Sequence, residues 1–119
     1  GTDLWLVCAG DGGRVAVEDV VCAGLIVDRV CALTADAPNQ TMLSDSATAA
    51  QRIYRQYDSL PALRRESARA KALEEAGRGA DLAFYEDVER AAAVPTLARA
   101  LRCRPQDGPR ELLFFEMVP

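Results

Sequence analysis

Histidine is absent from the 119 residues, and with it go Ser-His-Asp triads, Cys-His dyads, histidine-phosphatase chemistry and His-ligated zinc. A basic surplus is missing too. Fourteen Lys and Arg against eighteen Asp and Glu leave a formal net charge of −4, so nothing answers the charge of a phosphate backbone and nucleic acid is not an expected partner. No apolar run approaches the roughly 18 residues a membrane span needs, and no charged-then-apolar leader is expected. The four cysteines, Cys8, Cys22, Cys31 and Cys103, have no C-x-x-C spacing. In a chain that is 50% hydrophobic they read as reduced thiols rather than a disulfide frame. Repeats and low-complexity linkers are likewise lacking. The composition therefore predicts a single cytoplasmic, mildly acidic α/β or α-rich domain over residues 1–119.

What is present is most informative at the start. Asp3-Leu4-Trp5-Leu6-Val7-Cys8-Ala9 is apolar almost throughout, which predicts a strand covered on both faces of a parallel sheet, with Trp5 in the core. Gly10-Asp11-Gly12-Gly13 breaks the run. A helix is predicted from about Ala16 to Leu33, one face formed by Val17, Val20, Val21, Gly24, Val27 or Asp28, and Cys31, with Glu18 and Asp19 at the positive end of its dipole. Strand, glycine loop and helix make half of a βαβ unit, and the expected architecture is helices packed on a small, mostly parallel sheet.

Further along, Ser44 or Asp45 caps a second predicted helix to about Tyr57, with Ala47, Ala50, Ile53, Tyr54 and Tyr57 on one face. A third opens at Pro61 and runs toward Ala76, interrupted near Ser67, with Gly77 and Gly79 as left-handed ends. Asp81 starts a short helix through Arg90; Ala93-Val94-Pro95 reads as an edge strand or turn, Pro105 to Pro109 as a loop, and Leu112 to Phe115 as a closing strand. Arg64, Arg65 and Arg69 read as a solvated helix face.

The segment Cys8 to Arg14 is the candidate for chemistry. Amides of Gly10, Asp11, Gly12 and Gly13 can converge on one anion at a helix N-terminus, and Arg14 adds a planar bidentate donor for phosphate or sulfonate. The bland alternative is a tight strand-to-helix turn. Two chemistries fit the loop. Cys8 and Arg14 form C-x5-R, the spacing of cysteine-dependent phosphatases, although Val15 replaces the hydroxyl residue that assists the thiolate. Glu18 and Asp19 instead offer hard oxygen ligands to Mg2+, against the reading of ordinary first-turn acids. Their side chains leave the helix about 100° apart, so one serves a metal more readily than both.

These residues also carry a resemblance. Cys8-Ala9-Gly10-x-x-Gly13-Arg14-x-x-x-Glu18-Asp19-x-x-Cys22-Ala23-Gly24 resembles the signature loop and helix of the 2-phosphosulfolactate phosphatases. Weaker likeness continues through Leu43-Ser44-Asp45, Ser67 with Leu73 and Gly77, Asp81-x-x-Phe84, and Val94-Pro95-x-Leu97. The resemblance implies an α/β, Mg2+-dependent phosphatase that releases phosphate from 2-phosphosulfolactate, or a related small phosphorylated 2-hydroxy acid, a step toward coenzyme M in some organisms. It implicates Gly10, Gly13, Arg14, Glu18 and Asp19 in the active site, with Glu18 or Asp19 nearest the metal and Arg14 nearest the phosphate or sulfonate.

It further implies that this chain corresponds to the family's C-terminal half, so that a homo-oligomer or association with an N-terminal half is expected. Ala16 stands where the family often has a small hydroxyl residue, and Tyr85 and the tail after residue 100 depart from the pattern. The rival expectation is a non-catalytic module that keeps the anion loop and works by association through the apolar Leu112 to Met117 stretch.

Overall fold

A computed structural model describes residues 3–37, 41–88, 94–103 and 110–118. They fall into two compact units, Gly1–Glu86 and Asp87–Pro119. In the first the described elements are helical: α1 (Val17–Leu33), α2 (Asp45–Tyr54), a 3-10 helix (Leu60–Arg65), α3 (Ala68–Glu75) and α4 (Gly79–Tyr85). The second holds β1 (Val94–Cys103) and β2 (Arg110–Val118), paired antiparallel from Val94 opposite Val118 to Cys103 opposite Arg110, with an irregularity between Leu97 and Arg99.

This corrects the expected α/β architecture of helices on a mostly parallel sheet. The described sheet has two strands and is antiparallel, as suits strands separated only by residues 104–109; a parallel pair needs a crossover of a dozen or more residues. The strand expected over Asp3–Ala9 is not formed. A strand exists only by pairing, and the first unit has no described strand to receive it. Trp5, assigned to the core, is 84% exposed, and Leu4 and Val7 are 60% and 92% exposed. Of the remaining expectations, Arg90, Ala93 and the loop Pro105 to Pro109 lie outside the described residues.

The first unit is organised by the α1–α2 pair. Val21, Gly24 and Val27 are the buried residues of α1, on the face its apolar spacing marks out. Gly24 permits the close approach: a Cβ there would collide with the Ala50 carbonyl and come within 2.7 Å of the Tyr54 Cβ. A polar clasp borders the contact. Asp28 Oδ1 accepts from Gln51 Nε2 at 3.1 Å and from Arg55 Nε at 2.8 Å. The buried face of α2 therefore runs through Ala50 and Gln51, while Ile53, expected on the apolar face, is largely exposed.

Ser44 caps α2 by accepting from the Ala47 amide. The helix expected from Pro61 is two elements, because Ser67 ends the 3-10 turn and caps α3, accepting from the Ala70 amide. Gly77, at φ +73, closes α3 in the left-handed conformation, whereas Gly79 opens α4 rather than ending α3. Arg64 is not a solvated cation: its Nε and Nη2, on one edge of the guanidinium, donate side by side to the two oxygens of the Glu86 carboxylate, tying the 3-10 helix to the end of α4. That carboxylate holds the Arg64 pKa above its ordinary value.

Candidate active site

The loop before α1 is built around two glycines with positive φ. Gly12 (φ 56°) and Gly13 (φ 76°) occupy the tip of a tight turn, the pattern of a type I′ turn, which L side chains resist. Asp11 and Arg14 flank it and exchange two backbone hydrogen bonds of 3.0 Å. Gly10 also has positive φ (69°), and a Cβ there would run into the Arg14 carbonyl.

Two bonds dock this turn on the first turn of α1. The Gly10 amide donates to Asp19 Oδ2 at 2.7 Å, and the Cys8 thiol donates to the Asp19 carbonyl at 3.6 Å. Asp19 stands at the third helical position, from which an acid ordinarily reaches back to the N-cap amide. Here it reaches loop backbone nine residues away instead, and Ala16, extended at φ −101° and ψ 127°, supplies no side-chain cap. The first-turn amides of α1 are therefore left without a capping side chain.

The turn's amides divide into two sets. Those of Gly10, Asp11 and Arg14 are spent within the loop or on Asp19. Those of Gly12 and Gly13 donate to no protein acceptor among the described residues. The Arg14 side chain is exposed and makes no ion pair among them either. Glu18 is half-buried; its Oε2 accepts from Ser67 Oγ at 3.1 Å, across 49 residues of sequence. The structure thus brings Gly10 and Asp19 together and sets Glu18 against α3, so the two neighbouring carboxylates have different partners. Ser67 enters the site although its sequence signal was only an interruption of the third predicted helix and one weakly matching family position. Cys8 is exposed and faces a carbonyl acceptor, not the loop's amides.

The donor set fits a hard divalent cation such as Mg2+. Glu18 and Asp19 each keep one carboxylate oxygen beyond the bonds described, and Mg2+ typically takes one or two carboxylates and fills the rest of its octahedron with water and substrate oxygens. Among the described residues there is no group of three or more metal-binding side chains, so a closed protein cage of the zinc kind is not built there. Charge argues in the same direction. Between residues 11 and 19 three acids (Asp11, Glu18, Asp19) stand against one Arg14, a local balance of 1 − 3 = −2. That balance favours a cation beside the two carboxylates. No helix of the described residues is long and apolar enough to cross a membrane.

Comparison with known proteins gives a consistent answer. Residues 1–100 match the family model described as 2-phosphosulpholactate phosphatase. A probable 2-phosphosulfolactate phosphatase of Thermosynechococcus vestitus is 35% identical over 94 residues, covering 77% of this chain and 38% of the relative. One so named from Thermus thermophilus is 37% identical over 96 residues, covering 80% and 38%. Another, from Thermotoga petrophila, is 31% identical over 100 residues, covering 83% and 40%. The chain thus spans about two fifths of the length of these relatives.

Proposed function

The chain belongs to the 2-phosphosulfolactate phosphatase family, and from that membership we propose that it carries the anion-binding turn and acidic helix start of a Mg2+-dependent phosphoric monoester hydrolase. The substrate of this reading is 2-phosphosulfolactate or a related small phosphorylated 2-hydroxy acid, cleaved to the hydroxy acid and phosphate. The observation that carries it is the docking of the loop on α1. Asp19 holds Gly10, leaving the Gly12 and Gly13 amides and the Arg14 guanidinium at an exposed turn beside an uncapped helix start.

Each group then has a task. Arg14 pairs two oxygens of a phosphate or sulfonate in the bidentate geometry its planar head allows. The amides of Gly12, Gly13 and the first turn of α1 offer fixed dipoles to the same anion, already oriented before the substrate arrives. Glu18 would hold the cation, and Asp19 keeps the loop in register. A bound divalent ion would supply neutralisation of phosphate charge and polarisation of a water. The C-x5-R alternative loses support, because a cysteine nucleophile is expected to receive the loop's amides, and Cys8 instead donates to a carbonyl.

Phosphate release from small phosphorylated acids, measured with Mg2+ on this chain and on a longer form that includes the rest of the relatives' length, tests the proposal. Release that stops with EDTA and falls more than about tenfold in Arg14→Ala, as loss of a bidentate phosphate contact implies, is the expected result. Release unaffected by EDTA, or full activity in Arg14→Ala, would overturn it.

A second reading, association without catalysis, is favoured by one observation: the apolar opening segment has no cover, with Leu4, Trp5 and Val7 all exposed. On this reading another segment of the family fold, or a second copy of this chain, closes over residues 4–7. Stable self-association in light scattering without turnover in either form would favour it over the enzyme.

A further inference from the structure

Resting on the reading of Glu18 as a metal-holding acid, we propose that Ser67 is a positioning residue for that carboxylate, joining the helix start at α1 to the cap of α3 in one site. Ser67 is 3% exposed, and its hydroxyl both accepts and donates. The oxygen accepts from the Ala70 amide at 3.0 Å, so the single hydroxyl proton is left for Glu18 Oε2, 3.1 Å away. The backbone of Ser67 is pinned as well: its amide donates to the Leu63 carbonyl and its carbonyl accepts from the Lys71 amide. A residue held by two backbone and two hydroxyl bonds fixes the direction from which Glu18 is grasped.

The consequence is chemical. Glu18 is half-buried, and among the described residues no cation pairs with it. A neutral donor orients a carboxylate without cancelling its formal charge, which stays available to a divalent ion. An arginine or lysine in the place of Ser67 would hold the side chain as well but compete with the metal. Supporting partners of metal-ligating carboxylates characteristically act in this way, and losing one lowers metal affinity about 10- to 100-fold. Capping alone accounts for the Ala70 bond but not for the bond to Glu18.

Mn2+ binding, followed by the loss of free-ion electron paramagnetic resonance signal, tests this in the full chain, with circular dichroism recording the folded state of each variant. The comparison runs across the parent, Ser67→Thr, Ser67→Ala, Ser67→Gly and Glu18→Gln. Glycine at a helix N-cap costs only a few tenths of a kcal/mol relative to serine, against about 1 kcal/mol for alanine, so Ser67→Gly removes the hydroxyl with less disturbance of the α3 cap than Ser67→Ala. Expected are binding within about threefold of the parent for Ser67→Thr, loss of about tenfold or more for Ser67→Ala and Ser67→Gly, and no additional loss when Ser67→Gly is added to Glu18→Gln. Folded Ser67→Gly with the parent's affinity, while Glu18→Gln loses it, would overturn the positioning role and leave the metal reading standing. A parent that takes up no Mn2+, or a Glu18→Gln variant that binds like the parent, would overturn both.

Discussion

Tyr57 lies beyond the end of α2, and its hydroxyl donates to Glu66 Oε2 at 2.6 Å. That bond, helped by partial burial and by the negative charge of Glu66, raises the phenol's pKa above its usual 10.0. The sign of the effect on stability follows. The folded state binds the phenolic proton more tightly than the unfolded chain, so the contribution is complete below about pH 10 and is lost as pH rises through the raised folded value. Tyr57→Phe is therefore expected to make the decline of stability above about pH 10 shallower, while lowering stability at neutral pH by less than about 1 kcal/mol because the pair is solvent-exposed. Urea unfolding of both proteins at a series of alkaline pH values measures it; parallel declines would disprove it. Spacing placed Tyr57 on the apolar face of a longer helix. The helix stops at Tyr54, and the tyrosine serves as a hydrogen-bond donor instead.

Among the elements, helices were the legible part. The start of α1 falls within a residue of its expectation, Ser44 caps α2, and the interruption near Ser67 becomes the cap of α3. These are local effects: apolar spacing, a hydroxyl accepting an amide, a glycine at positive φ. Less legible was which face of α2 is buried, because Gln51 displaces Ile53 by bonding Asp28 across the helix pair. The α1–α2 contact also gives Gly24 a role that composition hides, since glycine inside a helix costs about 1 kcal/mol against alanine. Gly24→Ala gains that propensity but forces a methyl into the Ala50 carbonyl. Overpacking outweighs propensity here, and a net loss of about 1–2 kcal/mol is expected, visible as a lower urea midpoint. An unchanged or higher midpoint would mean that α2 can move away freely.

At the scale of the molecule, the first unit leaves much of its apolar surface uncovered. Its buried hydrophobics among the described residues are Val21, Val27, Ala50, Ala70 and Leu82, while Leu4, Trp5, Val7, Val15, Leu33 and Met42 stand exposed. Exposed apolar residues clustered in one segment, as at residues 4–7, are characteristic of contact surfaces. Trp5 is the sole tryptophan and reports on that contact directly. In this chain its emission is expected to be red-shifted and readily quenched by acrylamide. In a longer form covering the relatives' full length, or in a stable oligomer, it should move to the blue and become protected. A protected Trp5 in the isolated monomer would contradict the exposed segment.

Residues near one another in the chain settled the candidate site's local parts: the glycine turn, the acids opening α1, the arginine between them, the caps. Each depends on backbone angles or bonds spanning a few residues, and such interactions are written in sequence order. Tertiary structure alone decided that Glu18 meets Ser67, that Arg64 meets Glu86, and that Asp19 turns from its own helix to the loop. It also decided that the opening apolar run stays unpaired. An apolar strand and an exposed apolar segment are the same string of residues, and only the presence of a neighbouring strand to complete the backbone hydrogen bonds separates one from the other.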